Sequence, residues 1–172
     1  MCGETTIRQA DPGDAETVAG ILHEAARWLR ESGMPLWEAG ELDKASIHAD
    51  VNQGLFLLAE ISGEAAGIVK FQLDDPIFWP DMAGSDSAYV HRLAVCRRFA
   101  GAGLSTALLG SAAERASALG RRFLRLDCPA SRPRLRAVYE RFGFRHHSDR
   151  RVGPYFVSRY EYDLARPPEG QP

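Results

Sequence analysis

The sequence has few of the features that mark secreted, membrane-spanning or nucleic-acid-binding proteins. Its 172 residues include three cysteines and two lysines, Lys44 and Lys70. Three cysteines without metal-ligand spacing are typical of free thiols in a reducing compartment. No apolar run approaches the roughly 20 residues needed to span a bilayer. The formal net charge of −2 provides no general attraction for nucleic acid or for an anionic membrane.

The N-terminal segment has no basic stretch followed by an apolar one, so the sequence predicts no secretory signal. We therefore expect a cytoplasmic protein that binds neither nucleic acid nor membrane. No linker, repeat or low-complexity block divides the chain, and its length fits one domain. We expect that domain to cover residues 1–165 and the proline-rich residues 166–172 to form a disordered tail.

Hydrophobic periodicity predicts strands and helices that do not alternate regularly along the chain. A strand at residues 5–10 precedes a helix within 11–29 and a shorter helix within 36–54. Two β-rich runs meet at Ser62-Gly63, a hairpin signal, and a proline-containing loop separates them from a strand at 88–95. A helix at 105–120, a strand at 122–128, a helix at 132–143 and one or two final strands follow.

This order predicts an α/β fold with a mixed sheet. The helix between the fourth and fifth strands forces those two strands to run parallel, whereas the hairpin strands are antiparallel. A Rossmann domain is excluded, because its strands and helices would alternate throughout.

The stretch "RLAVCRRFAGAGLSTALL", residues 92–109, leads from a strand through glycines into a helix. Such a turn aims several backbone N–H groups and the positive end of the helix dipole at one point, which suits phosphate oxygens. Gly101 and Gly103 permit positive φ, and Ser105 could add a hydroxyl donor or cap the helix. Taken alone, the loop leaves phosphate binding and a plain turn equally open. No Lys-Ser/Thr pair follows the glycines, which argues against a nucleotide-hydrolysing P-loop.

Three segments together resemble the GNAT family of acyl-CoA N-acyltransferases: "YVHRLAVCRRFAGAGLSTALL", "LRLDC" and "LRAVYERFGF". The resemblance is most specific from Tyr89 to Phe144 and looser in the N-terminal half. It implies an α/β (α+β) fold with a mostly antiparallel sheet of six to seven strands, flanked by helices on both faces. Within that sheet the fourth and fifth strands would form a parallel, splayed pair. The resemblance also implies acetyl-CoA, or another acyl-CoA, as cosubstrate, and no metal.

The resemblance assigns a cofactor site residue by residue. Leu93, Ala94 and Val95 match a strand end whose backbone pairs with pantetheine, and the glycine loop matches the pyrophosphate cradle. The further cofactor-binding candidates are Arg98, Gly101, Ala102, Gly103, Leu104, Ser105 and Arg132. Ala100 stands where the family usually has Arg or Gln, so we expect the backbone to carry most of the phosphate binding. Ser105 and Arg132 also depart from the family's usual Gly or Ala and Asn.

Tyr139 matches the general acid of the family, which protonates the leaving thiolate. From reference pKa values of roughly 10 for tyrosine and roughly 8.5 for a thiol, that transfer is uphill by about 2 kcal/mol. The role therefore needs a favourable environment or a proton shared in the transition state.

Three residues stay open as the general base. An imidazole suits proton removal from an ammonium near neutral pH, which favours His91. Alternation predicts that its side chain shares a strand face with those of Tyr89, Leu93 and Val95. Asp127 on the next strand and Glu60 in the hairpin are the alternatives.

The acceptor pocket is expected from the N-terminal helices and the loop after the hairpin. Aromatic and acidic side chains there suit a small amine or an amino-acid-like acceptor. The substrate-binding candidates are Trp37, Asp75, Phe78, Trp79 and Tyr89. Further aromatic or acidic residues in these segments are Trp28, Glu38, Asp74 and Asp81.

We therefore expect an N-acetyltransferase that uses acetyl-CoA and acts on a primary amine of a small molecule by direct attack in a ternary complex. A protein N-terminus or lysine as acceptor stays open, and so does a catalytically silent acyl-CoA sensor on the same fold. Tyr139 in its motif favours the enzyme, because a sensor needs only the loop. The last strand could also pair at a sheet edge with a second copy, which leaves a homodimer open.

Overall fold

The computed structural model describes residues 3–38, 40–82 and 84–168, so residues 169–172 of the expected tail lie outside it. These described residues contain seven strands and four α-helices. In chain order they are β1 (Thr5–Gln9), α1 (Ala15–Glu31), α2 (Lys44–Asn52), β2 (Phe56–Ile61), β3 (Glu64–Gln72), β4 (Ser87–Val95), α3 (Leu104–Ala118), β5 (Phe123–Pro129), α4 (Pro133–Phe142), β6 (Arg145–Val152) and β7 (Tyr155–Asp163). Within the described ranges no helix is both long and apolar enough to cross a membrane.

The strands form one sheet in the order β1-β2-β3-β4-β5-β7-β6. β4 and β5 are parallel, as the helix between them requires, and the pairs β1–β2, β2–β3, β5–β7 and β6–β7 are antiparallel. The parallel ladder joins residues 87–89 to residues 123–125 and ends there, although β4 continues to Val95 and β5 to Pro129. The predicted mixed, mostly antiparallel sheet with a parallel, splayed pair is confirmed.

The last strand does not lie at a sheet edge. β7 pairs with β5 on one side and with β6 on the other, so β6 is the edge strand. The expectation that the last strand could pair with a second copy is therefore wrong, because both of its hydrogen-bonding sides are occupied.

The chain divides into two compact units. The first comprises the described residues up to Lys70 together with Arg92–Leu109, and the second comprises Phe71–His91 and the described residues from Gly110 onward. The first unit contains the glycine loop, and the second contains the loop of residues 73–86 with β5, α4, β6 and β7.

The core of the first unit lies between two helices and one face of its strands. Val18 and Leu22 stand one turn apart on α1, as do Ile47 and Val51 on α2, and all four are almost completely buried. The strand residues in the same core are Phe56, Leu58, Ile68 and Ala94. Burial of each of these side chains contributes about 2 kcal/mol to the free energy of unfolding. Because their spacing places them on one face of each helix, this burial holds both helices against the sheet.

The core of the second unit is aromatic. Gly143 caps the C-terminus of α4, and its φ of 117° lets the chain reverse, so that the backbone N–H of Phe144 donates to the backbone oxygen of Tyr139 at 3.1 Å. This turn lays the ring of Phe144 against that of Tyr139, with centroids 6.1 Å apart. Tyr160 of β7 adds its ring at 6.5 Å from Tyr139. The spacing Tyr-x-x-x-Gly-Phe thus has a local structural cause.

Gly67 on β3 lies in a site with no room for a side chain. A Cβ at this position would lie 3.0 Å from the backbone oxygen of Ala94 and 3.2 Å from Cδ1 of Leu108. The carbonyl belongs to a strand and Leu108 is fully buried, so neither yields easily. We expect Gly67→Ala to lower the free energy of unfolding by about 1–3 kcal/mol, the range for overpacking a filled site. Chemical denaturation measures this change.

Gly20→Ala is the matched control. Gly20 is exposed within α1, and a Cβ there would meet nothing within 4 Å. The same substitution should therefore raise the free energy of unfolding by roughly 0.5–1 kcal/mol through helix propensity. Changes of the same sign at both positions would contradict the steric explanation for Gly67.

Candidate active site

The glycine loop of the first unit leads directly into α3. Gly101 and Gly103 have φ angles of 84° and 75°, and a Cβ at either position would meet nothing within 4 Å. Glycine is therefore needed here for the backbone conformation, while the space in front of the loop is open. The backbone N–H groups of the first turn of α3 lack intrahelical acceptors, as at every helix N-terminus, and can bind an anion.

Ser105 does not cap this helix. α3 begins at Leu104, and the backbone oxygen of Gly103 accepts the hydrogen bond of Ala107 at 3.1 Å, so Gly103 occupies the cap position. The cap role considered for Ser105 is wrong for that reason, and its hydroxyl lies in the first turn instead. Leu104 is 2% exposed, which anchors the start of the helix, and Ala102 is exposed.

The strand end proposed to bind pantetheine follows an unusual residue. Arg92 has a φ of 52°, a value uncommon outside glycine, and its guanidinium donates to the backbone oxygen of Glu41 at 2.9 Å. The regular alternation of the strand is interrupted at Arg92. The prediction that Leu93 and Val95 share a strand face with His91 therefore does not follow from alternation. Both of these residues are partly buried, and Ala94 between them is buried.

The two cofactor candidates with charged side chains have different surroundings. Arg98 is exposed and pairs with Glu64 at 3.1 Å, an exposed contact of the kind that contributes little to stability and exchanges easily. Arg132 is partly buried directly before α4, and its backbone N–H donates to the oxygen of Pro129 at 3.1 Å.

Three other candidates belong to the first unit and are already engaged there. Trp37 packs against the core of that unit, and Trp28 lies under the guanidinium of Arg97, 3.8 Å from its ring centroid. Glu60 pairs with Arg8 at 3.0 Å, so its carboxylate already serves as a counter-ion.

In the second unit the structure brings His91, Asp75 and Asp127 together. Nε2 of His91 lies 3.1 Å from Oδ2 of Asp75, and Nδ1 lies 3.7 Å from Oδ1 of Asp127. The side chains of Asp75 and Asp127 are 5% and 10% exposed, and that of His91 is 19% exposed. An imidazole that solvent reaches is thus held between two buried carboxyl groups.

Both of these carboxyl groups have an oxygen without a hydrogen-bond partner. Oδ1 of Asp75 accepts the backbone N–H groups of Ile77 at 3.2 Å and Phe78 at 2.9 Å, which fixes the turn that begins the loop. Oδ2 of Asp75 lies within hydrogen-bond distance of His91 but not in hydrogen-bond direction, and Oδ1 of Asp127, at 3.7 Å, lies beyond hydrogen-bond distance. Buried oxygens in this condition are unfavourable until a proton or a cation reaches them.

The surroundings shift the pKa values of the two acids in opposite directions. Burial raises the pKa of Asp127 to about 6, with the charge of His91 opposing and that of Asp75 reinforcing the rise. Burial also acts to raise the pKa of Asp75, but the contact with His91 and the N–H groups of Phe78 and Ile77 outweigh it and lower the pKa. Asp75 is therefore ionised at neutral pH, whereas Asp127 gains and loses its proton close to neutral pH.

The same three residues form a donor set for a cation. Their ligand atoms, one nitrogen and two carboxylate oxygens, all lie within 4.8 Å of one another. Such a set can hold a divalent metal ion or an organic ammonium.

A buried arginine that the sequence reasoning missed holds the loop of residues 73–86 on the sheet. Arg159 of β7 donates to the two carboxylate oxygens of Asp81 at 2.6 and 3.1 Å and to the backbone oxygen of Phe78 at 3.2 Å. Register pairs Arg159 with Asp127, so both side chains lie on the same sheet face. The sequence signal for this position is the strict alternation of "YFVSRYEYDL", which places Arg159 and Tyr155 on the same face of β7 because they are four residues apart.

The aromatic candidates of the second unit divide by exposure. Trp79 and Tyr89 are 1% and 2% exposed, with ring centroids 6.2 Å apart, so they support the site from within the core. Phe78 is partly exposed, and its ring centroid lies 6.3 Å from that of His91 and 6.5 Å from that of Tyr155. Phe78 is thus the candidate that presents an aromatic surface beside His91.

Tyr139 lies on the other face of the sheet from His91 and Asp127. Its ring packs on Tyr160, which directly follows Arg159 along β7, and consecutive strand residues point to opposite faces. Burial raises the pKa of Tyr139 far above its ordinary value, and nearby ionisable groups act in the same direction. Tyr139 therefore keeps its proton at neutral pH and can donate a hydrogen bond.

The raised pKa of Asp127 predicts a pH-dependent loss of stability. The folded carboxyl holds its proton more tightly than the unfolded one, whose pKa is 3.8, so stability falls as pH rises from about 4 to about 6. Asp127→Asn removes this effect and should increase the free energy of unfolding at pH 8 by up to about 3 kcal/mol, with little gain near pH 4. Urea denaturation at the two pH values measures the difference.

Asp14→Asn is a control with the opposite sign. The hydrogen bond from Arg8 lowers the pKa of Asp14, so this substitution should reduce stability at neutral pH and have less effect in acid. A gain from Asp127→Asn that is equal at both pH values would contradict the titration of Asp127.

Comparison with known proteins identifies the family and the fold of the chain. Residues 22–144, more than half of the chain, match the model of the Acetyltransferase (GNAT) family. The N-acetyltransferase YesJ of Bacillus subtilis, itself uncharacterised, is 34% identical over 138 residues, covering 76% of this chain and 76% of YesJ.

Solved structures share the fold. A GNAT-family acetyltransferase of Listeria monocytogenes has a TM-score of 0.78 and 28% identity, covering 94% of this chain and 98% of that chain. The protein yncA of Salmonella typhimurium, solved with its cofactor acetyl-CoA, has a TM-score of 0.72 and 18% identity, covering 98% of each chain.

The family match spans the hairpin, the glycine loop and the helix that carries Tyr139, which are the segments that carried the resemblance in the sequence. The protein is an acyltransferase and belongs to the GNAT family of acetyltransferases.

Proposed function

We propose that the protein transfers an acetyl group from acetyl-CoA to the primary amine of a small molecule, by direct attack of the amine on the thioester in a ternary complex. The observation that carries the proposal is the cluster of His91, Asp75 and Asp127. It can take up a proton near neutral pH, as deprotonation of an ammonium requires. A silent sensor has no use for buried carboxyl oxygens that lack hydrogen-bond partners.

The features for binding acetyl-CoA belong to the first unit. We assign the pyrophosphate to the backbone of residues 101–105, where the glycine loop is open and α3 begins. Arg98 can exchange its exposed partner for a phosphate, and Ala100 contributes no polar side chain. Pantetheine is assigned to the strand end of residues 93–95. Arg132 belongs to the second unit, and its part in cofactor binding stays a prediction from the family resemblance. The related fold of yncA, which holds acetyl-CoA, supports this cosubstrate.

The base is assigned to His91 acting with its two acids. The acceptor's ammonium gives a proton to the imidazole, directly or through water, and the free amine attacks the carbonyl carbon of the thioester. Asp75 stays ionised and balances the charge of the imidazolium. Asp127, with its pKa of about 6, is the alternative acceptor of the same proton.

Tyr139 is assigned to the leaving thiolate. As the C–S bond breaks, the phenol donates a hydrogen bond and then its proton to the sulfur. The second proton, which the attacking nitrogen loses as the amide forms, restores the phenol. Its raised pKa makes full transfer more costly than reference values indicate, so the hydrogen bond in the transition state supplies most of the effect. His91 and Asp127 come two residues after the positions where the β4–β5 ladder ends, and such an opening in the sheet allows groups from both faces to reach one substrate.

The free, buried thiols of Cys96 and Cys128 fit a reducing compartment, and we infer that the reaction takes place in the cytoplasm, where acetyl-CoA is available.

Amine-dependent turnover separates an enzyme from a sensor. With acetyl-CoA and a panel of small primary amines, we expect release of free CoA thiol in a one-to-one ratio with N-acetylated product, followed by a thiol reagent and by mass spectrometry. Peptides with a free N-terminus or a lysine serve as the comparison and should react more slowly. Tight acetyl-CoA binding in calorimetry without turnover of any acceptor would support the sensor instead.

Tyr139→Phe should lower kcat by roughly 10²-fold or more, the range for loss of a general acid, and leave the Kd for acetyl-CoA nearly unchanged. Steady-state kinetics and calorimetry measure the two quantities. Tyr162→Phe is the matched control, because Tyr162 is also a buried tyrosine of the aromatic core but has no proposed part in the reaction. An unchanged kcat in Tyr139→Phe would exclude the assignment.

A further inference from the structure

The unpartnered oxygens of the cluster point to a cationic ligand. Oδ2 of Asp75 and Oδ1 of Asp127 belong to side chains that are nine-tenths or more buried, and both face the imidazole of His91. Two acids against one imidazole leave the cluster with excess negative charge when Asp127 is ionised. A positively charged group that binds against His91 would remove that excess and satisfy both oxygens.

The two buried arginines on the same sheet face, Arg159 and Arg125, already have partners. Arg159 is bound to both oxygens of Asp81 and, through Nε, to the hydroxyl of Ser148 at 2.9 Å. Arg125, two residues before Asp127 on β5, is held by Glu161 at 2.8 Å. Neither of these guanidinium groups is available to a carboxylate on the acceptor, whereas the two acids would repel it.

Aromatic rings lie beside the cluster. The partly exposed ring of Phe78 lies beside His91, and the ring of Tyr155, also partly exposed, lies 6.5 Å from that of Phe78. Such a surface favours an apolar or aromatic group attached to the ammonium, both by burial and by cation–π attraction.

We propose that the site selects a primary amine whose nitrogen-bearing carbon carries an apolar or aromatic group and no carboxylate. The ammonium binds against His91 between Asp75 and Asp127, the apolar group lies on Phe78 and Tyr155, and α-amino acids are rejected by the two acids. This inference rests on the proposed function and narrows its acceptor from amines and amino acids to amines.

Matched acceptors test the inference on the unaltered protein. Phenethylamine, phenylalanine and phenylalaninamide share one ring, and phenylalaninamide keeps the bulk of the α-substituent without its negative charge. With acetyl-CoA, we expect kcat/KM for phenethylamine to exceed that for phenylalanine by at least 100-fold, with phenylalaninamide closer to the amine. The pair tyramine and tyrosine should repeat the pattern.

Charge-neutral variants locate the effect. In the unaltered protein, kcat/KM for phenylalaninamide should exceed that for phenylalanine. Asp75→Asn should reduce this ratio at least tenfold, because it removes one of the two charges that repel the carboxylate of phenylalanine. Glu114→Gln is the control, since Glu114 is an exposed carboxylate of α3 with no proposed part in acceptor binding, and it should leave the ratio unchanged. Binding of acetyl-CoA and the melting temperature show whether each variant is folded.

The outcomes separate this inference from the proposed function. Turnover of amines and α-amino acids with similar kcat/KM overturns the selectivity and leaves the acetyltransferase reaction in place. Equal rejection of phenylalanine and phenylalaninamide overturns it as well, since bulk alone would then explain the preference. Loss of activity on chelation by EDTA would make a metal the cation of the cluster and overturn the ammonium site. No turnover of any amine refutes the proposed function itself.

Discussion

The contact of His91 with two buried acids is the interaction on which the proposed chemistry depends. An imidazole alone on a strand would be an ordinary polar side chain. Between Asp75 and Asp127 it belongs to a group that changes its proton content near neutral pH and that favours a positive charge. Burial of Asp127 lowers the stability of the fold at neutral pH, and this loss falls where the proposed reaction takes place.

The second unit is organised to hold this contact in place. Asp75 begins a loop whose own backbone N–H groups bind one of its oxygens, and Arg159 ties the same loop to β7 through Asp81 and the backbone of Phe78. Alternation along β7 sends Arg159 to one sheet face and Tyr160 to the other. One strand thereby supports the proposed base on one face and the aromatic packing of Tyr139 on the opposite face.

Local signals explain which sequence-based expectations agree with the structure. The hairpin, the helices and the parallel pair follow from turn residues, apolar spacing and a helical crossover, all of which act over a few residues. The errors concern properties that the sequence pattern does not carry. The left-handed conformation of Arg92 ends the alternation along β4, the cap position belongs to Gly103 and not to Ser105, and β7 lies inside the sheet.

The sequence by itself determined the family, because the motif residues are read directly from it. It also determined the glycine loop and the turn that joins Tyr139 to Phe144, because glycines and their neighbours set those backbone conformations locally. Only the tertiary structure decided which acids meet His91. Asp75 lies on a loop and Asp127 on a parallel strand reached through α3, so their approach depends on chain pairing over long distances. Burial, which shifts the pKa of Asp127 and leaves its oxygen without a partner, exists only once those elements have packed.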